Sequence, residues 1–252
     1  MILGIIQARM GSSRLPNKVL LDIAGKPSIL WIYERLSQSK FIDKVVVSTS
    51  ISEKDDLIET FCNEHNLPYY RGEEEDLLDR LYKTCVQFNA DHFVRITGDC
   101  PLVDPRIVDL LISFYLNQKD LDYASNNLMF PYPHGIDAEI FRVLTFKKVW
   151  EEVTDPKMRA LAGAYIYLNQ DQFKVASIKY SKDLPMRVTL DYYEDLQLIR
   201  EIFKYFGKKM FYLEDLEKLY EDKPDLFDIN NCRKSHTRKW DCEKYFLSQD
   251  KN

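Results

Sequence analysis

The sequence GIIQARMGSSRLPNKVL, residues 4–20, joins an apolar run to a loop rich in cationic and polar side chains. The apolar run at 2–7 predicts a first strand that is buried on both faces, as the strands of a parallel sheet are. Ligands of open α/β sheets bind beyond the carboxyl ends of the strands. The loop at 8–18 therefore lies where we expect a ligand.

The loop at 8–18 carries donors that suit a polyphosphate. Gly11 lets the backbone approach a ligand closely, and the backbone N–H groups of residues 11–13 can cradle phosphate oxygens. Arg9, Arg14 and Lys18 add charge-assisted donors. The loop matches neither the P-loop pattern nor G-x-G-x-x-G. The residues alone leave two interpretations open: a phosphate site, or a solvated loop in which cations cluster.

The rest of the chain alternates compact apolar runs with helical periodicities. Strands are predicted at 2–7, 44–49, 67–70, 92–97 and 186–190, and helices at 27–39, 53–65, 75–88, 105–117, 142–152, 192–206 and 213–220. This alternation predicts an α/β fold, a three-layer α/β/α sandwich around a mostly parallel, Rossmann-like sheet.

One stretch, 120–185, breaks the alternation. It contains Pro133 and Gly135, followed by short strand-like pieces at 136–141 and 173–180. We interpret it as an embedded lobe that carries substrate contacts and a dimer contact. The tail at 207–252 is polar, with short helical pieces. We expect residues 1–252 to form a single domain.

Composition narrows the class of protein. The chain has 252 residues, is 45% hydrophobic and 30% charged, and carries a net charge of -5, which is typical of a globular protein and argues against nucleic acid as its main partner. Its five cysteines form no C-x-x-C pair, which indicates reduced thiols. No apolar stretch approaches the roughly 20 residues that span a membrane, and no signal peptide is recognised. We expect a cytoplasmic protein.

Two aspartates follow predicted strand ends: Asp99 in VRITGDCP and Asp191 in MRVTLDYYEDL. Carboxylates from two strand ends can meet over a nucleotide, and Mg²⁺ commonly uses one or two carboxylates together with substrate phosphates. The pair Asp191 and Glu194 also has the spacing of a helix N-cap. Asp191 is therefore open between cap and metal ligand.

Charged residues in two other apolar stretches also need an explanation. Arg187 lies inside a predicted strand and requires a partner, either a carboxylate of the protein or an anionic substrate. Asp137 and Glu139 would share one face of a strand, which is either an exposed face or a set of hydroxyl contacts.

Seven blocks of the sequence resemble a known family in family order. They are IIQARMGSSRLPNKVL, GKPSILWIYERL, VVVSTS, RGEEEDLLDRLY, VRITGDCPLVDP, HGIDAEIF and MRVTLDYYEDLQLI. They resemble the cytidylyltransferase superfamily that activates acidic sugars, which includes CMP-Kdo and CMP-sialic acid synthetases, and are most similar to the spore coat polysaccharide biosynthesis protein F (SpsF) family. The resemblance spans residues 2 to about 200 and implies the nucleotide-diphospho-sugar transferase type of sheet.

The resemblance implies a set of site residues. Nucleotide contacts fall on Ala8, Arg9, Gly11, Ser12, Ser13, Arg14, Lys18, Arg71, Asp79, Arg80, Thr97 and Gly98; substrate contacts fall on His134, Gly135, Asp137, Glu139 and Arg187. Asp99 and Asp191 would hold Mg²⁺, and with Arg14 and Lys18 they would be the catalytic residues. The acidic run at 73–76 has a simpler alternative, because acidic residues favour a helix N-terminus.

The implied reaction is a Mg²⁺-dependent transfer of CMP from CTP, or of another nucleotide, to an acidic sugar or a phosphorylated small molecule. Pyrophosphate would leave, and the product would serve surface polysaccharide or glycoconjugate biosynthesis. We also expect a homodimer, with its contact in the embedded lobe. Two alternatives remain: a nucleotide-sugar-dependent glycosyltransferase of the same fold, whose D-x-D pair would have to be Asp120 and Asp122, and a nucleotide-binding relative without turnover.

One block departs from the family pattern. Where relatives commonly have an E-H-V-T-P-Y-I-Y-like block, residues 160–167 read ALAGAYIY. Ala160, Leu161 and Gly163 thus stand where Glu, His and Thr are expected, at positions that would face the substrate. Because these positions would face the substrate, the departure affects first which substrate we expect and second whether we expect turnover.

Overall fold

The computed structural model describes residues 1–128, 132–182, 184–207 and 209–236. The strands are β1 Ile2–Gln7, β2 Asp22–Ile23, β3 Lys26–Pro27, β4 Lys44–Ser50, β5 Tyr69–Gly72, β6 His92–Thr97, β7 Tyr123–Ser125, β8 Glu139–Arg142 and β9 Val175–Ser177. The helices are α1 Ser28–Leu36, α2 Asp56–Glu64, α3 Leu77–Gln87, α4 Pro105–Asn117, α5 Val143–Glu152, α6 Pro156–Arg159, α7 Ala164–Leu168, α8 Tyr193–Phe206 and α9 Leu213–Asp222. Short 3-10 segments lie at Lys18–Leu20, Glu53–Asp55 and Pro224–His236.

The central sheet has seven strands among the described residues, in the order β5-β4-β1-β6-β8-β7-β9. Its ladders are parallel except at β8, which runs antiparallel to both of its neighbours. Apolar side chains from α1, α2, α4, α8 and α9 cover one face, and those from α3, α5 and α7 cover the other. The predicted three-layer, mostly parallel α/β/α sandwich is confirmed.

The two cores explain why the sequence specifies this layering. Ile29, Ile32 and Leu36 recur at helical spacing along α1 and are fully buried on one face of the sheet. Leu78 and Leu81 of α3 are buried in the same way on the other face. Among the described residues, no helix combines the length and the apolar character needed to cross a membrane.

The segment 186–190 is not the strand that its apolar run predicts. It is extended, but its backbone forms only an isolated bridge, between Arg187 and His134. Val188 donates its N–H to the carbonyl of His134, and Leu190 donates to that of Asp99. These N–H groups bond to loop carbonyls, so no ladder forms. Gly135 permits this approach: its φ is 108°, and a Cβ there would lie 2.4 Å from a backbone atom of residue 189.

The predicted lobe at 120–185 is part of the sheet. Three of its segments, β7, β8 and β9, extend the central sheet beyond β6, and α5 packs against α3. The strand-like pieces at 136–141 and 173–180 are thus shorter than predicted. The role of this stretch in dimer formation stays a prediction, and residues 237–252 of the predicted tail lie outside the described residues.

Arg35 ties the first helix to the C-terminal part of the chain. It is 1% exposed, and its guanidinium donates to the carbonyl oxygens of Val103 and Phe211, both at 2.7 Å. Burial lowers the pKa of Arg35 to about 10, so the side chain is charged at neutral pH. A buried cation that satisfies two carbonyls is therefore a structural link, not a ligand site.

We expect Arg35→Met to lower the free energy of unfolding by about 3 kcal/mol, because two buried carbonyls lose their donor. Arg200→Met is the matched control: Arg200 also donates to a carbonyl, that of Asp22, but is exposed, so its loss should cost no more than about 0.5 kcal/mol. Urea unfolding followed by circular dichroism measures both. Equal losses in the two variants would contradict this assignment.

Candidate active site

A cleft of about 310 Å³ lies beyond the carboxyl ends of β1 and β6. The strand order reverses between these two strands, since the chain passes from β1 to β4 on one side and to β6 on the other. Such a reversal is where α/β sheets bind ligands. The cleft is lined by ten of the predicted site residues: Arg9, Gly11, Ser12, Ser13, Arg14, Lys18, Thr97, Gly98, Asp99 and Glu139.

A cluster of opposite charges lies at the mouth of loop 8–18, which we call the phosphate loop after its predicted ligand. Lys18 Nζ is 3.0 Å from Asp99 Oδ2 and 2.9 Å from Asp191 Oδ1. Arg14 approaches the same oxygen of Asp191 at 2.7 Å. Burial lowers the pKa of Lys18, but the two carboxylates outweigh it and the net pKa lies above the ordinary value. Lys18 is therefore an ammonium ion between two carboxylates.

The backbone of Asp99 brings the second aspartate to the first. Its carbonyl accepts the N–H of Leu190 at 2.8 Å and the hydroxyl of Thr189 at 3.1 Å. Asp191 directly follows Leu190 in the chain. Two aspartates that are 92 positions apart therefore meet because one loop hydrogen-bonds to the other.

Asp195 positions Asp191 through hydrogen bonds to the backbone. One carboxylate oxygen of Asp195 accepts the N–H groups of Asp191 and Tyr192, both at 3.0 Å. Helix α8 begins at the next residue, so Asp195, not Asp191, satisfies the first donors of the helix. Asp191 itself does not line the cleft; its carboxylate pairs with Arg14 and Lys18, which do. Asn230, from the last 3-10 segment, donates to Asp195 Oδ1 at 2.8 Å.

Arg187 pairs with a protein carboxylate, which is one of the two alternatives raised by its sequence position. Its guanidinium donates twice to Asp195, both times at 2.9 Å, and its side chain has no exposed surface. It also lies 3.4 Å from Asp191 Oδ2 and 3.0 Å from His134 Nδ1. Arg187 does not line the cleft; it acts on the site through Asp191.

The phosphate loop is held by a residue that the sequence patterns did not single out. Asp55 is 1% exposed and accepts the N–H of Met10 at 2.7 Å and the N–H of Ser50 at 3.1 Å. It thus joins the loop after β1 to the end of β4.

Within the loop, the N–H of Ser12 already donates to the carbonyl of Met10, so it is not available to a phosphate in this conformation. Ala8 donates its N–H to Ser48 and does not line the cleft.

Arg71 and Arg80 hold loops at the edge of the cleft. Arg71 donates to the carbonyls of Ser50 and Ser52, and its guanidinium pairs with Asp56 at 2.6 Å. Arg80 is 1% exposed and donates to the carbonyl of Glu73 at 2.7 Å. Neither lines the cleft, so their contact with a nucleotide stays a prediction.

Asp79 also points into the scaffold. Its carboxylate accepts the indole N–H of Trp150 at 3.0 Å and pairs with Lys83 at 2.9 Å. Of the acidic residues at 73–76, which the sequence also allowed to act at a helix N-terminus, Asp76 does so. It caps α3 by accepting the N–H of Asp79.

The 134–139 block divides between the scaffold and the cleft. Asp137 accepts the N–H of Gly135 at 3.1 Å and lies before β8, which begins at Glu139. The expectation that Asp137 and Glu139 share a strand face is therefore wrong. His134 lies next to Arg187, outside the cleft lining, whereas Glu139 lines the cleft.

Comparisons with known proteins identify the family of this chain. A family profile described as cytidylyltransferase matches residues 3–227. The chain is a member of the cytidylyltransferase family. It is similar to an uncharacterized protein of Methanocaldococcus jannaschii (34% identity; 91% of this chain, 94% of the relative) and to the spore coat polysaccharide biosynthesis protein SpsF of Bacillus subtilis (30%; 82% and 88%). The solved structure of a cytidylyltransferase from Leptospira borgpetersenii matches with a TM-score of 0.85 at 32% identity, over 90% of this chain and 96% of that one.

Sequence patterns did not single out Asp55 and Asp195, which support this cytidylyltransferase's site, or several residues of its lining, among them Gln7 and Arg95. Arg95 carried a signal, a cation within the apolar strand HFVRIT. Asp55 and Asp195 lie in acidic helix starts, where sequence does not distinguish a buried acceptor from an exposed one.

We expect Asp55→Asn in this cytidylyltransferase to raise the KM for the nucleotide about tenfold with little change in kcat, because the loop loses one buried acceptor. Glu53→Gln, an exposed change in the same 3-10 turn, should leave both constants unchanged. Initial-rate kinetics at varied nucleotide measures the effect. A loss of kcat without a change in KM would exclude a loop-positioning role.

Proposed function

We propose that this cytidylyltransferase transfers CMP from CTP to an acidic sugar or a phosphorylated small molecule, with release of pyrophosphate, in surface polysaccharide or glycoconjugate biosynthesis. The observation that carries the proposal is the meeting of Lys18 with Asp99 and Asp191 beside the phosphate loop. The SpsF relative supports the biosynthetic setting.

The phosphate loop would bind the triphosphate. Arg14 and Lys18 neutralise charge that grows on the pyrophosphate as it leaves, and Gly11 lets the backbone approach the phosphates. Catalysis of this kind is mostly positioning and charge neutralisation. No general base is required if the acceptor is itself a phosphate.

Asp99 and Asp191 fit a divalent cation. Lys18 Nζ marks a point about 3 Å from one oxygen of each carboxylate, so one cation can contact both. No group of three or more His, Cys, Asp or Glu side chains that could hold a metal occurs among the described residues, which suits Mg²⁺, because Mg²⁺ takes its remaining ligands from phosphates and water. When bound, Mg²⁺ would polarise the α-phosphate.

The glycosyltransferase alternative lacks support from the D-x-D pair. Asp120 and Asp122 precede β7, which runs in the same direction as β6. They therefore lie at the edge of the sheet opposite the cleft. Asp122 accepts the N–H of Lys174 and the hydroxyl of Thr145, which is a structural role.

Asp99→Asn tests the reaction. With CTP and a panel of sugar acids and phosphorylated small molecules, we expect wild-type protein to release pyrophosphate and the variant to lose about 10³-fold or more in kcat, with an unchanged circular dichroism spectrum. Asp120→Asn, an exposed member of the D-x-D pair, should retain full activity. Turnover that persists in Asp99→Asn would disprove the metal assignment, and running UTP, ATP and GTP beside CTP tests the nucleotide.

Lys18→Met tests the shared position of ammonium and metal. Without nucleotide, we expect the variant to bind Mn²⁺ at least about tenfold more tightly than wild type, because two carboxylates lose the ammonium that neutralises them. Electron paramagnetic resonance of free Mn²⁺ measures this directly. Lys26→Met, which removes a surface ammonium paired with Glu34, is the control. Equal Mn²⁺ affinity in wild type and Lys18→Met would rule out a common position.

A further inference from the structure

The cleft continues past the phosphate loop into a second part, which we call the distal half. It is lined by Gln7, Arg95, Tyr123, Asn127, Leu128, Glu139, residues 160–164 and Tyr167. Arg95 and Glu139 belong to β6 and β8, Leu128 follows β7, and Gln7 is the last residue of β1. The sequence resemblance places the Glu139 block on the sugar side, so the distal half is where the acceptor of the proposed CMP transfer would extend.

The floor of the distal half is a closed ion pair. Arg95 Nε donates to Glu139 Oε2 at 2.7 Å, and each side chain is 10% exposed. A second guanidinium nitrogen of Arg95 donates to Gln7 Oε1 at 2.6 Å. Of the charged residues that line the described cleft, these two lie away from the phosphate loop and its aspartates. Their charges cancel.

The second oxygen of Glu139 is also occupied. It accepts the hydroxyl of Tyr123 at 2.7 Å. Burial, and then the neighbouring carboxylate, raise the pKa of Tyr123 well above its ordinary value, so the phenol stays protonated as a donor. A charged group on the ligand would therefore meet a floor with no net charge, at the cost of its own desolvation.

One wall of the distal half, formed by residues 160–164, carries no polar side chain, whereas Asn127 and Tyr167 add polar groups elsewhere in the lining. Ala160, Leu161, Ala162, Gly163 and Ala164 follow one another along the lining. The wall rests on the floor: a Cβ on Gly163 would lie 3.0 Å from Glu139 Oε1. Three of these residues are the ones that replace the Glu, His and Thr of the family pattern. Leu161 is half-buried, and Leu128 adds a second apolar side chain to the lining.

We propose that the part of the acceptor that occupies the distal half is uncharged and carries an apolar substituent, and that Leu161 is a specificity-determining residue for it. The anionic group of the acceptor lies outside the distal half. The proposal rests on the proposed CMP transfer. Two physical reasons support it. The ion pair of Arg95 and Glu139 has no net charge to offer a charged ligand, and burial of apolar surface against the 160–164 wall is favourable.

Matched acceptors test the substrate class. We expect wild type to use N-acetylneuraminate or 3-deoxy-manno-octulosonate with a kcat/KM at least about tenfold above that for the same sugar phosphorylated at its terminal hydroxyl. The acetamido sugar should exceed its counterpart with a hydroxyl in place of the acetamido group by about tenfold, since the apolar wall favours the methyl group. Equal use of phosphorylated and unphosphorylated acceptors overturns the proposal.

Leu161→Arg tests the residue. It should raise the KM for the unphosphorylated acceptor about tenfold and leave the KM for CTP unchanged. The ratio of kcat/KM between the unphosphorylated and the phosphorylated acceptor should fall. Leu168→Arg, on the exposed side of α7, is the control and should behave as wild type. A change in the KM for CTP with no change in that for the acceptor overturns the assignment of the distal half. Absence of pyrophosphate release with every acceptor overturns the proposed function itself and the inference with it.

Discussion

The site depends on the main-chain carbonyl of Asp99, which accepts hydrogen bonds from Leu190 and Thr189. This contact joins the end of β6 to a segment that forms no ladder of its own, and it places two carboxylates on either side of one ammonium. The buried pair of Arg187 and Asp195 then sets the direction of the second carboxylate. Backbone and buried side chains, rather than the charges themselves, bring like charges together.

Placing the carboxylates of Asp99 and Asp191 close together has an electrostatic cost, which neighbouring cations offset. Asp191 has cations on three sides: Arg14 and Lys18 from the phosphate loop and Arg187 from below. Lys18 in turn is shared with Asp99. A polyphosphate with a divalent cation brings both signs of charge, so it can replace these contacts without leaving a buried charge unpaired.

Periodicity and apolar runs were enough to predict the main sheet, because buried strands and amphipathic helices must carry these patterns. The predictions for β1, β4 and β6 agree with the structure, whereas 186–190 was wrong because its N–H groups bond to loop carbonyls. In the site, motif blocks located the loop and both aspartates. They did not reveal Asp55 or Asp195, since a buried acceptor and an exposed helix start have the same local sequence.

The sequence by itself determined the α/β layering, the cation-rich loop after the first strand and the cytidylyltransferase family, because local pattern and motif order carry that information. Only the tertiary structure decided which carboxylates face the cleft. Asp79, Asp137 and Asp195 serve the scaffold, while Asp99, Asp191 and Glu139 meet the cleft or its ion cluster. The physical reason is that a carboxylate's role depends on the donors that surround it in three dimensions, and those donors come from distant segments of the chain.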